Sequence, residues 1–195
     1  MMRLPVIPTL FVAAAVATMV ALGIWQLRRA DEKRELIAQF ERASQLAPTA
    51  YPAVPPAGND LFYRRSTALC LEPVAWRAEA GRNLEDKTGW SHIATCRTGT
   101  EGPGMQVDMG WSTQSAAPAT WRGGEVTGII APDRLHRIRL VSANAAPGLV
   151  PSAPPSPRAM TNNHLLYAGQ WFFFALAAAV IYILALRRKQ ATSDG

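Results

Sequence analysis

Two stretches of the chain carry no charged residue, Leu4–Leu27 and Leu165–Leu186. At ~1.5 Å of rise per residue each is long enough, as a helix, to cross a hydrocarbon layer of ~30 Å. Both stop at basic residues: Arg28 and Arg29 after the first, and Arg187, Arg188 and Lys189 after the second. Between the runs the pattern changes twice. Residues 28–47 are rich in mixed charge but keep Leu36, Ile37 and Phe40 on one helical face, so they read as a helix continuing out of the first span. From Leu61 to Val141 the periodicity becomes that of short strands between turn residues: Leu61–Leu71, Pro73–Ala80, Gly89–Cys96, Met105–Trp111, Gly124–Ile130 and Arg137–Val141. The connector Thr98–Gly104 reads as a hairpin turn.

The pattern therefore predicts a membrane α+β protein, with two transmembrane helices flanking a small soluble domain built on an antiparallel, barrel-like sheet. Its divisions are a first span at 4–27, a juxtamembrane helix at 28–47, a proline-rich linker at 48–60 and a β-rich extracytoplasmic domain at 61–141. A second proline-rich linker follows at 142–163, then the second span at 164–186 and a tail at 187–195. A cleaved leader is the competing reading of the first run, because Ala15-Val16-Ala17 fits the small-residue cleavage pattern. Against it, the run exceeds the usual ~7–15-residue apolar core and leads into Trp25-Gln26-Leu27-Arg28-Arg29.

Composition adds little except through its distribution. The net charge of +6 is not a nucleic-acid signal, because the cations gather at the ends of the apolar runs, where basic residues anchor spans. The two cysteines, Cys70 and Cys96, both fall in the β-rich domain. A disulfide in an oxidising compartment and a pair of buried thiols are the two readings of them. No phosphate-cradling glycine loop, nucleophile elbow or metal-spaced His/Cys cluster occurs, so nothing nominates an enzyme. His92 and His136 stand alone and read as a strand and a loop histidine.

The third histidine differs. Thr161, Asn162 and Asn163 supply helix-capping chemistry, and His164 follows in the first turn of the second run. At ~3.6 residues per turn Tyr167, Ala168, Trp171, Ala175 and Tyr182 lie on its side of the helix. The first run ends at the same level with Gly23, Trp25, Gln26, Arg28 and Arg29. Small residues at fourfold spacing, Ala13-Ala17-Ala21 and Ala175-Ala179, would let the two helices approach closely. An imidazole, flat aromatic walls and boundary guanidinium groups suit a haem, with His164 on the iron and Trp25, Gln26, Arg28, Arg29, Tyr167 and Trp171 as candidate contacts. Ordinary interfacial aromatic belts and basic anchors explain the same residues without a ligand.

Two motifs carry a resemblance. Leu22–Ile37, with Gly23, Trp25, Gln26, Arg29 and Lys33, and Asn162–Ala175, with Asn162, His164, Leu165, Tyr167, Trp171 and Phe172, resemble the Surfeit locus protein 1 family. Tyr63-Arg64 and Gly110-Trp111 match its strand motifs. Met109 stands where the family has arginine and Gln170 where it has threonine, and the segment from Val141 to Thr161 is short, as in a reduced bacterial form. The resemblance implies a non-enzymatic assembly factor for haem-copper (aa3-type) cytochrome c oxidase, which binds haem a transiently and aids its delivery to subunit I. It implies His164 as the iron ligand. Its partners would be subunit I and other proteins of oxidase assembly or haem a synthesis, besides membrane lipid. It also implies a multi-pass protein of the bacterial plasma membrane, both termini cytoplasmic and the central domain periplasmic. A scaffold that stabilises subunit I without holding haem is the alternative.

Overall fold

In the computed structural model the described residues are 5–99, 103–116 and 120–191, so the centre of the turn expected at Thr98–Gly104 lies outside them. Helix α1 runs unbroken from Val6 to Gln45, joining the first apolar run to the charged stretch after it. It stops short of Pro48, whose ring disfavours helical backbone in the residue before it. Helix α2, His164–Ala191, continues through the basic cluster Arg187–Lys189. Both contain segments long and apolar enough to cross a membrane, and little of either segment is buried within the protein. Such apolar exposure suits lipid as the surrounding medium, consistent with a membrane protein.

Seven strands make one mixed sheet between the helices in sequence: β1 (Thr49–Ala50), β2 (Arg65–Cys70), β3 (Glu72–Arg82), β4 (Thr88–Arg97), β5 (Pro103–Ser112), β6 (Gly124–Asp133) and β7 (Arg137–Ser142). Their order is β1-β2-β6-β7-β5-β4-β3. Antiparallel pairing dominates, as the turn-punctuated pattern implied, but β1 runs parallel to β2 and β5 parallel to β7. Only Leu71 separates β2 from β3, although these strands stand far apart in the order. The sheet therefore curls until its ends meet at one bent stretch of chain, whose first half pairs with β6 and whose second pairs with β4. The Leu71 N–H donates to the Arg97 carbonyl at 2.9 Å at this corner. Beside it Cys70 and Cys96, both buried, are joined by a disulfide with a Cα–Cα distance of 5.3 Å.

Inside the curl, Ala94, Met105, Val107, Met109, Val126, Ile130, Ile138 and Leu140 form the core with the disulfide. Ion pairs link β3 to β6 and β7, which are not its ladder neighbours. Arg77 of β3 pairs with Glu79 and with Asp133 of β6, and Arg139 of β7 reaches Glu79 at 2.7 Å and Asp133 at 3.6 Å. Two guanidinium groups thus face two carboxylates, which leaves the buried Asp133 with compensation for its lost hydration.

Both proline-rich segments expected as linkers are built into the domain. Within 48–60, Thr49 and Ala50 add to the sheet edge. Within 142–163, Val150 bridges to Trp111, Ser152 bridges to Asn83, and Ala146 enters the core. The strand expected from Leu61 begins only at Arg65, because Asn59–Arg64 forms turns and Tyr63 takes a φ of 65°. That backbone is costly for a bulky residue. It is held by packing, since Tyr63 is buried, stacks against Phe40 of α1 at 4.9 Å between ring centroids and donates its N–H to the Ile130 carbonyl. Arg64 donates to the Ala47 carbonyl at 2.7 Å, so the Tyr-Arg pair ties the end of α1 to the sheet.

By its contacts the chain divides into two units: the chain up to Leu36 with that from Thr161, and Ile37–Met160.

Candidate functional site

The helical unit holds the residues that the sequence nominates. α2 starts where the Asn163 carbonyl accepts the N–H groups of Leu166 and Tyr167, at 3.1 and 3.2 Å. Asn162 does not serve as a cap. Its Nδ2 donates across to the Ala30 carbonyl of α1 at 3.2 Å, while its Oδ1 is buried with no partner among the described residues. Two residues on, His164 Nδ1 lies 2.7 Å from Gln26 Oε1. An amide oxygen only accepts, so Nδ1 is the donor in this contact, an arrangement that in a neutral imidazole leaves Nε2 bare. No hydrogen bond engages Nε2 among the described residues.

The small residues that permit this approach are not the expected ridge on α1. Ala13, Ala17 and Ala21 are exposed, and the contact face of α1 instead carries the buried Gly23 and Ala30 with Gln26 between them. A Cβ on Gly23 would stand 2.7 Å from the Phe172 ring, so the ring lies where a larger residue would have to displace it. On α2 the buried positions are Ala168 and Ala175, one and three turns after His164. Lower in the pair Thr9 Oγ1 and Tyr182 Oη share a hydrogen bond of 2.5 Å.

Of the nominated residues, then, the structure brings His164 and Gln26 together and leaves Trp171 half-buried. Trp25 and Tyr167 are about half exposed, and Arg28 and Arg29 are exposed as well. The helix period explains this. Arg28 stands ~200° round α1 from Gln26, and Tyr167 is ~60° off the His164 direction. Arg29 is occupied by Glu32, 2.7 Å away in a solvent-facing pair that contributes little to stability. Ala30, and the roles of Asn162 and Phe172 as contacts between the helices, are what a reading by residue type misses. The small-residue spacing Gly23–Ala30, two turns of one face, was the available signal.

The other two histidines lie in the sheet domain. His92 is fully buried, with Nε2 2.9 Å from Ser112 Oγ, and His136 is an exposed turn residue whose N–H donates to Asp133. No group of three or more His, Cys, Asp or Glu able to hold a metal ion occurs among the described residues. Asp108 of β5 is buried and accepts from Ser152 Oγ at 2.7 Å and from the Gly110 N–H at 3.2 Å. Burial pushes its carboxyl above the ordinary value, against the pull of Ser152, the Arg139 charge and Gly110.

The mouth of the helix pair thus offers one imidazole whose Nε2 is not engaged, an orphaned amide oxygen and aromatic side chains on the same helix. A single imidazole nitrogen of this kind would suit a haem iron. It offers no acid–base or nucleophilic constellation. No curated protein matches the chain. The profile of the SURF1 family matches residues 13–176, a span that begins in α1 and ends in α2 and includes His164, Gln26, Tyr63, Gly110 and the whole sheet. The chain therefore belongs to the SURF1 family, whose members are assembly factors of cytochrome oxidase and not enzymes.

Proposed function

We propose that the protein is a membrane-bound assembly factor that takes haem a as transient cargo through His164 and aids its delivery to oxidase subunit I. The reading places it in a bacterial plasma membrane, both termini in the cytoplasm and the sheet domain in the periplasm, where the Cys70–Cys96 pair would meet oxidising conditions. The observation that supports it is the 2.7 Å contact of His164 Nδ1 with Gln26 Oε1, which leaves Nε2 without a hydrogen-bond partner among the described residues and so open to a ligand role. One protein ligand holds a cargo without caging it, as a carrier must. When bound, the haem supplies an iron centre that accepts that nitrogen lone pair.

The test is direct. The full-length protein, co-produced with the enzymes of haem a synthesis and purified in detergent, should carry a Soret band that His164→Ala abolishes. Unchanged haem content in that variant overturns the ligand role.

A scaffold reading is favoured by one observation: Trp25, Arg28 and Tyr167 lie exposed, so they can face a partner's helices. It expects co-purification with the oxidase to survive loss of His164 and the isolated protein to hold no haem.

A further inference from the structure

We infer that Gln26 is a positioning residue: its side-chain oxygen fixes the proton of His164 on Nδ1 and so makes Nε2 the metal-binding atom. The inference rests on the reading of His164 as the iron ligand for its purpose, but its physical content concerns the protein alone.

A metal-binding imidazole needs one bare nitrogen and a definite ring direction, and the hydrogen bond made by its other nitrogen sets both. Gln26 Oε1 provides that bond at 2.7 Å. The position of Gln26 is itself fixed from both sides. About one turn before it Gly23 lies against the Phe172 ring, and one turn after it the Ala30 carbonyl accepts from Asn162. The His164 backbone is fixed in turn, because Asn162 and the first turn of α2 adjoin it. Gln26 is therefore an acceptor held still, opposite a ring held still.

The chemical type also matters. A carboxylate in this place would make the imidazole more basic and bind iron more firmly, and it would carry a charge at the edge of an apolar run, where charge is costly. A neutral amide orients the ring with a gentler electronic effect, which suits a cargo that has to leave.

Two measurements test this on the full-length protein. The chain has three histidines, so in haem-free protein labelled with 15N-histidine the His164 signals are those that vanish in His164→Ala. They should show a protonated Nδ1 and a bare Nε2. Gln26→Leu should move the proton predominantly to Nε2. In protein loaded with haem a, Gln26→Leu should retain about 10-fold less haem and shift the iron midpoint potential upward. Gln26→Glu, measured at pH 8, should shift it downward. Opposite shifts from two variants are not what a merely structural residue produces. A wild-type His164 protonated on Nε2, or a tautomer unchanged in Gln26→Leu, overturns the role of Gln26. If instead the tautomer result holds while His164→Ala keeps its haem, the ligand reading falls and the orienting bond stands.

Discussion

Trp111 and Val150 exchange both of their backbone hydrogen bonds, at 2.7 and 3.1 Å, and so join the end of β5 to the proline-rich return segment. Gly110 makes the exchange possible. Between the pairs Ser91↔Trp111 and Ile93↔Asp108, strand β4 contributes one residue, His92, and β5 contributes two, so β5 bulges at Met109-Gly110. Gly110 takes φ +132°, and a Cβ there would come within 2.8 Å of the Val150 carbonyl and 2.9 Å of Leu149 Cβ. The Gly-aromatic pair at this strand end therefore marks where the domain is sewn to the chain leading to α2.

Gly110→Ala should accordingly destabilise the protein strongly. The backbone conformation alone costs roughly 1–3 kcal/mol for a residue with a Cβ, and the clash with the return segment adds to it. Gly148 provides the comparison, since its φ is +86° but nothing lies within 4 Å of a Cβ there. Thermal unfolding in detergent should show a clearly larger loss for Gly110→Ala than for Gly148→Ala. Equal losses would mean that the contact with Val150 and Leu149 contributes nothing.

Removing the disulfide should also be costly. Cys70 and Cys96 are separated by 26 residues in sequence and link the corner at Leu71 to the end of β4. By loop-closure entropy such a link contributes about 3 kcal/mol. Cys70→Ser with Cys96→Ser should lower the unfolding midpoint by several degrees, and added reductant should lower the wild type toward the same value but leave the double variant unmoved. Both sulfurs are buried, so reduction of the folded protein should be slow.

Two buried aspartates should give opposite pH dependences. At Asp133 burial works to raise the carboxyl, but the N–H of His136, the Arg77 guanidinium and the N–H of Leu135 outweigh it and hold the group below its ordinary value. Its contribution is present above the unfolded value of ~3.9 and is lost as pH falls through the lower folded value. At Asp108 burial wins and the carboxyl is raised, so its contribution is full below the unfolded value and is lost as pH rises through the folded one. Asp133→Asn should therefore destabilise at neutral pH, by about 1–3 kcal/mol, because Arg77 and Arg139 would keep only Glu79 as a charged partner. Asp108→Asn, which keeps an oxygen for Ser152 and Gly110, should leave neutral-pH stability unchanged or improved. Unfolding curves between pH 3 and pH 8 distinguish the two, and a fall in stability for Asp108→Asn at pH 7 would contradict the assignment.

How much of this was legible in the sequence follows from the range of each interaction. The long helices and the strands are written in local periodicity and turn residues, so both are visible in the sequence itself. The parallel pairing of β5 with β7 depends on where a distant strand docks, and nothing local to Val107 or Leu140 records it. The prolines of 142–163 carry no information about what that chain packs on. At the site His164 and Gln26 stood out as polar groups at the ends of apolar runs, while the Nδ1–Oε1 contact required the rotation of one helix against the other. The same missing rotation made Ala13-Ala17-Ala21 look like the packing ridge.

That rotation is itself testable at Gly23. A Cβ at this position would stand 2.7 to 3.0 Å from three atoms of the Phe172 ring, tighter than any relaxed carbon contact. The ring is the end of a flexible side chain, so Gly23→Ala should be tolerated by a small shift of Phe172. Gly23→Ile fills the space twice over and should push α1 off α2, opening the His164–Gln26 bond three residues further along the helix. The pair Gly23→Ile with Phe172→Ala returns the volume and should restore contact. Ala21→Ile, on the exposed face of α1, should change nothing. Disulfide cross-linking between cysteines placed at Ala30 and Asn162 reads the helix separation directly. Efficient cross-linking in wild-type background, its loss in Gly23→Ile and its return in the double variant are the expected pattern. Undiminished cross-linking in Gly23→Ile would show that the two helices do not depend on this glycine to meet.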